Sequence, residues 1–270
     1  VPFVPRLTRA IQSLDRFSNP LEILLKRSFG RPGDIMEIRD RRSGTRCRCT
    51  VGSFHMFAGI WYSGEYDVPR IPIRPGDIVL DIGANQGFFA CYAAHKGARV
   101  FAFEPNPDSF ARLQQNVERN NLAGLVVAQP WAISGRTGET QLMISDDLGG
   151  GMSTIVPGFA SEARLSVSAR LDVPCFTLSE ILDRLSLSRV RLCKIDAEGA
   201  ELDILRALPP TRAISFESLV VEVHPQGYPP RELLDLLISW GTHQVSFNEE
   251  RGFSSNILRL ASTQALLESL

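Results

Sequence analysis

Four short apolar runs in this chain end in acidic groups. Asp81-Ile-Gly83-Ala-Asn85-Gln-Gly87 closes the first, Glu104-Pro105 the second, Asp196-Ala-Glu198-Gly199 the third and Glu222-Val-His224 the fourth. Carboxylates gathered on one rim attract a cationic ligand where water is thin, and a carboxylate or imidazole can take the proton of a hydroxyl that is to act as a nucleophile. Asp196 or His224 is the candidate base, with Glu198 orienting the substrate or neighbouring side chains. Asp196, Glu198 and Glu222 could also share a magnesium ion through hard oxygen ligands. Their spacing is not diagnostic, however, and water or Lys194 could neutralise the same charges, so a divalent metal is possible but not favoured. Taken singly, Asp81 and Asp196 could merely cap the helices that follow, and His224 could simply mark the end of a strand. Four acidic ends on one rim point to a site.

The elements that must position these residues follow from periodicity. Residues 1 to 30 place Leu7, Ile11 and Leu14, then Leu21, Leu24 and Leu25, at helical spacing, interrupted at Asn19-Pro20, which predicts two short helices. Asp34 to Thr50 alternates and turns at Arg42-Ser43-Gly44, the pattern of a hairpin. From Pro75 the chain reads strand, helix, strand, helix, the form of a parallel sheet covered on both faces. Strands are expected at 78–83, 98–105, 125–129, 191–196 and 218–224, with two terminal strands in HQVSF and NILRL and an extra one near 139–145. Helices are expected at 87–96, 107–120, 177–185, 200–208 and 230–240. Thr177 and Glu180 have the spacing of a capping box. Phe88, Phe89 and Tyr92 read as helix core. The span 146–170, rich in Gly and Ser, shows no firm period and reads as a loop of the kind that forms a lid over a site. The chain thus divides into an N-terminal cap, 1–70, and a main domain, 71–270.

In an open parallel sheet, ligands lie beyond the carboxyl ends of the strands. Gly83 and Gly87 permit a tight turn against which a ligand can rest. A nicotinamide dinucleotide would want G-x-G-x-x-G here, whereas this turn has two glycines four positions apart with Asn85 between. S-adenosylmethionine carries no phosphate but a sulfonium, an ammonium and a ribose, and acidic strand ends suit it. Glu104, about twenty residues after Gly83, is placed to accept hydrogen bonds from ribose hydroxyls of either cofactor. The turn and the acidic strand end together favour S-adenosylmethionine.

DIVLDIGANQGFFA, VFAFEPNP, KIDAEGAELDIL and LVVEVH, in that order and with VPCFTLSEIL between, resemble the motifs of the FkbM-type methyltransferases. The resemblance runs from about Tyr62 to Leu260. It implies an α/β, Rossmann-like class I methyltransferase fold: a mostly parallel seven-stranded sheet with helices on both faces and an N-terminal helical and hairpin cap. It implies an enzyme of secondary metabolism that O-methylates a hydroxyl of a sugar, glycan or polyketide-like metabolite by in-line transfer from S-adenosylmethionine; the odd, scattered cysteines fit a reducing cytoplasm. By the same resemblance Asp81, Gly83, Asn85 and Gly87 line the methionine part of the cofactor, Glu104 holds the ribose, and Trp131-Ala132 lies near the adenine. Trp131 is bulkier than the family's pattern there, and Ala197 stands where valine is usual. The segment Trp61 to Tyr66 reads either as closing over the cofactor, with Glu65 in contact with it, or as an anchor for the cap.

Two other classes stay open, a nicotinamide-dependent oxidoreductase and a non-catalytic S-adenosylmethionine-binding module. Among the 270 residues, 29 Lys and Arg against 30 Asp and Glu give a net charge of −1, which supplies no basic field for nucleic acid. No apolar run is long enough to span a bilayer, and VPFVPRLTRA lacks the design of a secretory signal. Five scattered cysteines, at 47, 49, 91, 175 and 193, make no disulfide framework. Cys47 and Cys49 lack the second ligand pair that a zinc site needs.

Overall fold

The structure, a computed structural model, describes residues 15–145, 152–241, 243–247 and 257–267. Helix α1 (Pro20–Phe29) begins at Asn19-Pro20, because a residue without an N–H fits the first turn, where helical donors have no partner. Strands β1 (Ile35–Arg39) and β2 (Arg46–Thr50) form an antiparallel hairpin in which Met36 faces Cys49 and Ile38 faces Cys47. All four side chains are buried, and burial pushes the Cys49 thiol up to about 12. A short helix α2 (Phe54–Ala58) and a π-helical turn over Gly59–Ser63 follow. Periodicity does not mark this stretch, because Phe54, Phe57, Ile60, Trp61 and Tyr62 crowd it with apolar groups.

The strand and helix units then alternate: β3 (Ile78–Ile82), α3 (Phe88–His95), β4 (Arg99–Phe103), α4 (Pro107–Arg119) and β5 (Val126–Gln129). Strands β6 (Ala132–Ile133), β7 (Gly138–Ser145) and β8 (Met152–Thr154) lead to α5 (Pro157–Glu162) and β9 (Val167–Phe176). The chain continues through α6 (Leu178–Arg184), β10 (Leu192–Ile195), α7 (Glu201–Arg206), α8 (Pro210–Ala213) and β11 (Ser218–Glu222). It ends in α9 (Pro230–Ser239), β12 (His243–Phe247), β13 (Ile257–Ser262) and α10 (Thr263–Leu267).

The large sheet has the strand order β12-β13-β11-β10-β3-β4-β5. It is mixed: β5, β4, β3, β10 and β11 run parallel, and β13 lies antiparallel between β11 and β12. Its central strands are mainly apolar because both faces are covered. Val79, Val100, Ala102 and Val220 pack with α3, α4 and the hairpin on one side, Phe88 and Phe89 among them. Leu80, Ile82, Phe103, Ile195 and Val221 pack with α6, α7 and α9 on the other. The order reverses between β3 and β10, so the connections leave these two strands in opposite directions and open a crevice at their carboxyl ends.

The hairpin is fastened to the sheet unit by side-chain amides. Asn116 accepts the Arg48 N–H at 2.7 Å, Asn120 accepts the Arg46 N–H at 2.9 Å, and Gln86 accepts that of Thr50 at 3.3 Å. The expected capping box is half made. Thr177 accepts the Glu180 N–H at 3.2 Å, but the Glu180 carboxylate turns to Thr137 and Arg184.

The expected loop at 146–170 also differs. Residues 146–151 lie outside the described residues, while β8, α5 and the start of β9 occupy the rest. There β7, β8 and β9 pair antiparallel, and β6 joins β9, in a second sheet of order β6-β9-β7-β8. Backbone pairing to β7 builds these strands, and most of β9 is exposed, so no buried face imprints a period on its sequence. Among the described residues no helix is long and apolar enough to cross a membrane.

Candidate functional site

Strand β3 ends in a turn that the backbone alone makes specific. Gly83 has φ 72°, and a Cβ there would sit 1.8 Å from the carbonyl oxygen of Asp196, so only glycine lets the β3 and β10 loops meet. Asn85 follows with φ 49°, and its N–H donates to Oε2 of Glu104 at 2.7 Å. Oε1 of Glu104 accepts the Asn106 N–H at 2.8 Å. Burial raises this carboxyl to about 7, against the pull of those two backbone donors. Gly83, Asn85, Glu104, Trp131, Ala132 and Asp196 line one cleft. Trp131 stacks near Phe103 and tilts against Phe176, so its bulk forms a flat apolar wall of the cleft that Glu104 also lines.

Two of the expected contacts do not reach that surface. Asp81 is fully buried beneath the turn, where Lys194 Nζ lies 3.3 Å from its Oδ1. Gly87 packs its bare Cα against Leu113, whose Cγ would be 2.9 Å from a Cβ. Their work is support. Lys194 also donates to the Gly83 carbonyl at 2.6 Å and lies 3.3 Å from Oδ2 of Asp196, so one buried ammonium ties β3 to β10. Burial pulls this lysine down, but Asp81 and Asp196 outweigh it and hold the group raised.

A second cleft adjoins the first, and Met56, Asp196 and Glu198 belong to both. Glu65, Tyr66, Phe159, Glu222 and His224 line the second alone. Glu65, expected at the cofactor, thus faces the neighbouring space. The Tyr66 hydroxyl donates to Oε2 of Glu222 at 2.9 Å and lies 3.4 Å from Oδ2 of Asp196. Nε2 of His224 is 3.5 Å from Oε2 of Glu198 and 3.9 Å from Oδ1 of Asp196. Its Nδ1 donates to Oε1 of Glu201 at 2.9 Å. Burial pulls the imidazole down, yet the Glu201 bond and the charges of Glu198 and Asp196 outweigh it and hold it at about 10. Burial raises Glu198, and repulsion from Asp196 raises Glu222. Segment 152–163 walls this cleft, held by the Thr154 hydroxyl on the Glu198 carbonyl at 2.7 Å and by Phe159 edge-on to the His224 ring.

The structure therefore gathers Asp196, Glu198 and His224 at the junction of two clefts. It adds Tyr66, Lys194 and Glu201, which the sequence reading did not assign to the site. Lys194 carried a signal, a lone cation in the apolar run Leu192 to Ile195, whereas Tyr66 and Glu201 stand among polar neighbours that set neither apart. The carboxylate grouping also differs from the expected Asp196, Glu198 and Glu222. Among the described residues, Asp196, Glu201 and His224 are the trio whose ligand atoms fall within 4.8 Å of one another. In this trio the imidazole and Glu201 already bind each other, and Asp196 pairs with Lys194.

Comparison with known proteins fits this geometry. The Methyltransferase FkbM domain family matches residues 81–254. Hexuronic acid methyltransferase AglP of Haloferax volcanii is 30% identical over 203 residues, covering 72% of this chain and 77% of that protein. The 31-O-demethyl-FK506 methyltransferase FkbM of Streptomyces tacrolimicus is 26% identical over 200 residues, covering 63% and 74%. The crystal structure of Methyltransferase FkbM from Methylobacillus flagellatus KT superposes with a TM-score of 0.50 at 15% identity, covering 95% of this chain and 59% of that one, a likeness of fold. The strand order, the turn at Gly83 and the match across residues 81–254 agree, and the chain belongs to the FkbM methyltransferase domain family.

Proposed function

We propose that this protein is an S-adenosylmethionine-dependent O-methyltransferase that methylates a hydroxyl of a sugar or secondary metabolite. The observation that carries the proposal is the pair of clefts sharing Asp196 and Glu198. The first has what a nucleoside needs: a space at Gly83 that a Cβ would fill, a buried carboxylate at Glu104 and the apolar wall of Trp131. In this reading Glu104 accepts the ribose hydroxyls, and Trp131 and Ala132 flank the adenine. Residues 71–270 form the catalytic unit, and 1–70 cap it. When bound, S-adenosylmethionine supplies an electrophilic methyl group on a sulfonium.

The chain's own residues do the rest, which is mainly orientation. The second cleft holds the acceptor with its hydroxyl toward the junction. Asp196, ion-paired with Lys194 and present in both clefts, takes the hydroxyl proton on a carboxylate oxygen. At neutral pH His224 already carries both ring protons, so it acts as a cation that orients Glu198 and acceptor oxygens. Above about pH 10 its free Nε2 would itself become a base. AglP is named for a hexuronic acid; here Glu65, Glu198 and Glu222 share the cleft with the His224 cation, and the raised Glu198 and Glu222 carry only part of their charge, so the cleft has no net basic field for a uronate or for the phosphates of a nucleic acid. A neutral, hydroxyl-rich small molecule suits the cleft.

The test is turnover against neutral and uronate glycosides for wild type, Asp196→Asn and His224→Gln, with calorimetry for S-adenosylhomocysteine and NAD. Asp196→Asn should lower kcat by about 10² or more at unchanged cofactor affinity. Near-normal rates for both variants would remove the assignment, and NAD binding without S-adenosylhomocysteine binding would overturn the function.

A further inference from the structure

The turn from Asp196 to Gly199 carries two left-handed residues, Glu198 at φ 48° and Gly199 at φ 100°. Backbone of this kind persists where its surroundings over-determine it. Glu201 supplies the restraint. It is fully buried, and its single oxygen Oε1 accepts the N–H groups of Ala197 at 2.8 Å and Gly199 at 3.3 Å. The same atom accepts Nδ1–H of His224 at 2.9 Å. Since a carboxylate only accepts, Nδ1 must bear the proton, which leaves Nε2 to face Asp196 and Glu198. An acidic side chain in the first turn of α7 could serve that helix alone. A helix N-terminus does not need the imidazole, which arrives from beyond β11 and is held again by the Tyr228 hydroxyl on the His224 backbone N–H at 3.3 Å.

We propose that Glu201 is the positioning residue of the acceptor site, binding the Asp196–Gly199 turn and the His224 ring to one buried carboxylate so that Asp196, Glu198 and Nε2 keep one relative geometry. The inference rests on the methyl-transfer reading above and adds to it a residue that lines neither cleft.

Glu201→Gln keeps the size and an acceptor oxygen but removes the charge. Two arms test it on the full chain. In the first, NMR of the ring N–H protons needs no acceptor. Wild type should show a low-field Nδ1–H resonance for His224, assigned by its loss in His224→Gln, and Glu201→Gln should shift it to high field or lose it to exchange. In the second, kcat for the neutral glycoside that wild type methylates should fall by about 10², with KM and the S-adenosylhomocysteine Kd within twofold. The loss should be strongly non-additive with that of His224→Gln, because both changes break one unit. An unchanged resonance in Glu201→Gln overturns the proposal, as do additive losses or a Kd loss as large as the kcat loss. If wild type methylates nothing, the methyl-transfer reading falls while the resonance still decides whether Glu201 holds the ring.

Discussion

Glu104 makes cofactor affinity pH-dependent in a way the structure sizes. Its carboxyl sits at about 7 without ligand, because burial outweighs the two N–H donors of Asn85 and Asn106. Ribose hydroxyls donate to the ionised form, so binding selects it. The apparent Kd then scales as one plus the ratio of proton concentration to the acid constant. That factor is about 11 at pH 6 and about 1.1 at pH 8, a tenfold change or about 1.4 kcal/mol. Calorimetry with S-adenosylhomocysteine from pH 6 to 8, in two buffers of different ionisation enthalpy, should show this slope and release of about half a proton near pH 7. Glu104→Gln should bind more weakly than wild type at pH 8 and show no slope. A flat wild-type profile, or a slope that survives in Glu104→Gln, would refute the reasoning. Stability follows the same linkage with its sign fixed. A folded pKa raised from 4.5 to about 7 means the contribution is complete below about pH 4.5 and is lost as pH rises through 7. The loss is about 3 kcal/mol, and saturating ligand should offset it.

Two other outcomes are expected. Lys194→Met leaves Asp81 and Asp196 without their shared ammonium and should cost about 3–5 kcal/mol in urea unfolding at neutral pH. Burial already raises Asp81, and the loss of lysine raises it further, so this penalty should shrink as pH falls through that raised value, with Asp81→Asn restoring part of it at pH 7. Gly83→Ala should lower S-adenosylhomocysteine affinity more than tenfold by calorimetry, since its Cβ meets the Asp196 carbonyl at 1.8 Å. Gly44→Ala is the control. It has a similar φ of 74° but nothing within 4 Å, so it should cost only about 1–2 kcal/mol of backbone strain and no affinity.

The elements around β3, α3, β4, α4, β10 and β11 are legible because their signals are local. Apolar runs bounded by Gly83, Pro105 or Gly199 specify buried strands, and Asn106-Pro107 specifies a helix start. Acidic residues at the strand ends mark the crevice for the same local reason, since strand direction alone places them on one rim. The second sheet was less legible, because its pairing with β7 leaves mostly exposed residues without a period.

The order of strand and helix units and the rim on which ligands lie are therefore written along the chain. Folding in three dimensions adds that Lys194 sits under Gly83 between two aspartates, that Tyr66 reaches Glu222, that Glu65 belongs to the second cleft, and that Glu201 holds His224. These pairs join groups on different elements, and no spacing along a chain encodes a contact that exists only once the sheet and its covering helices have brought those elements together.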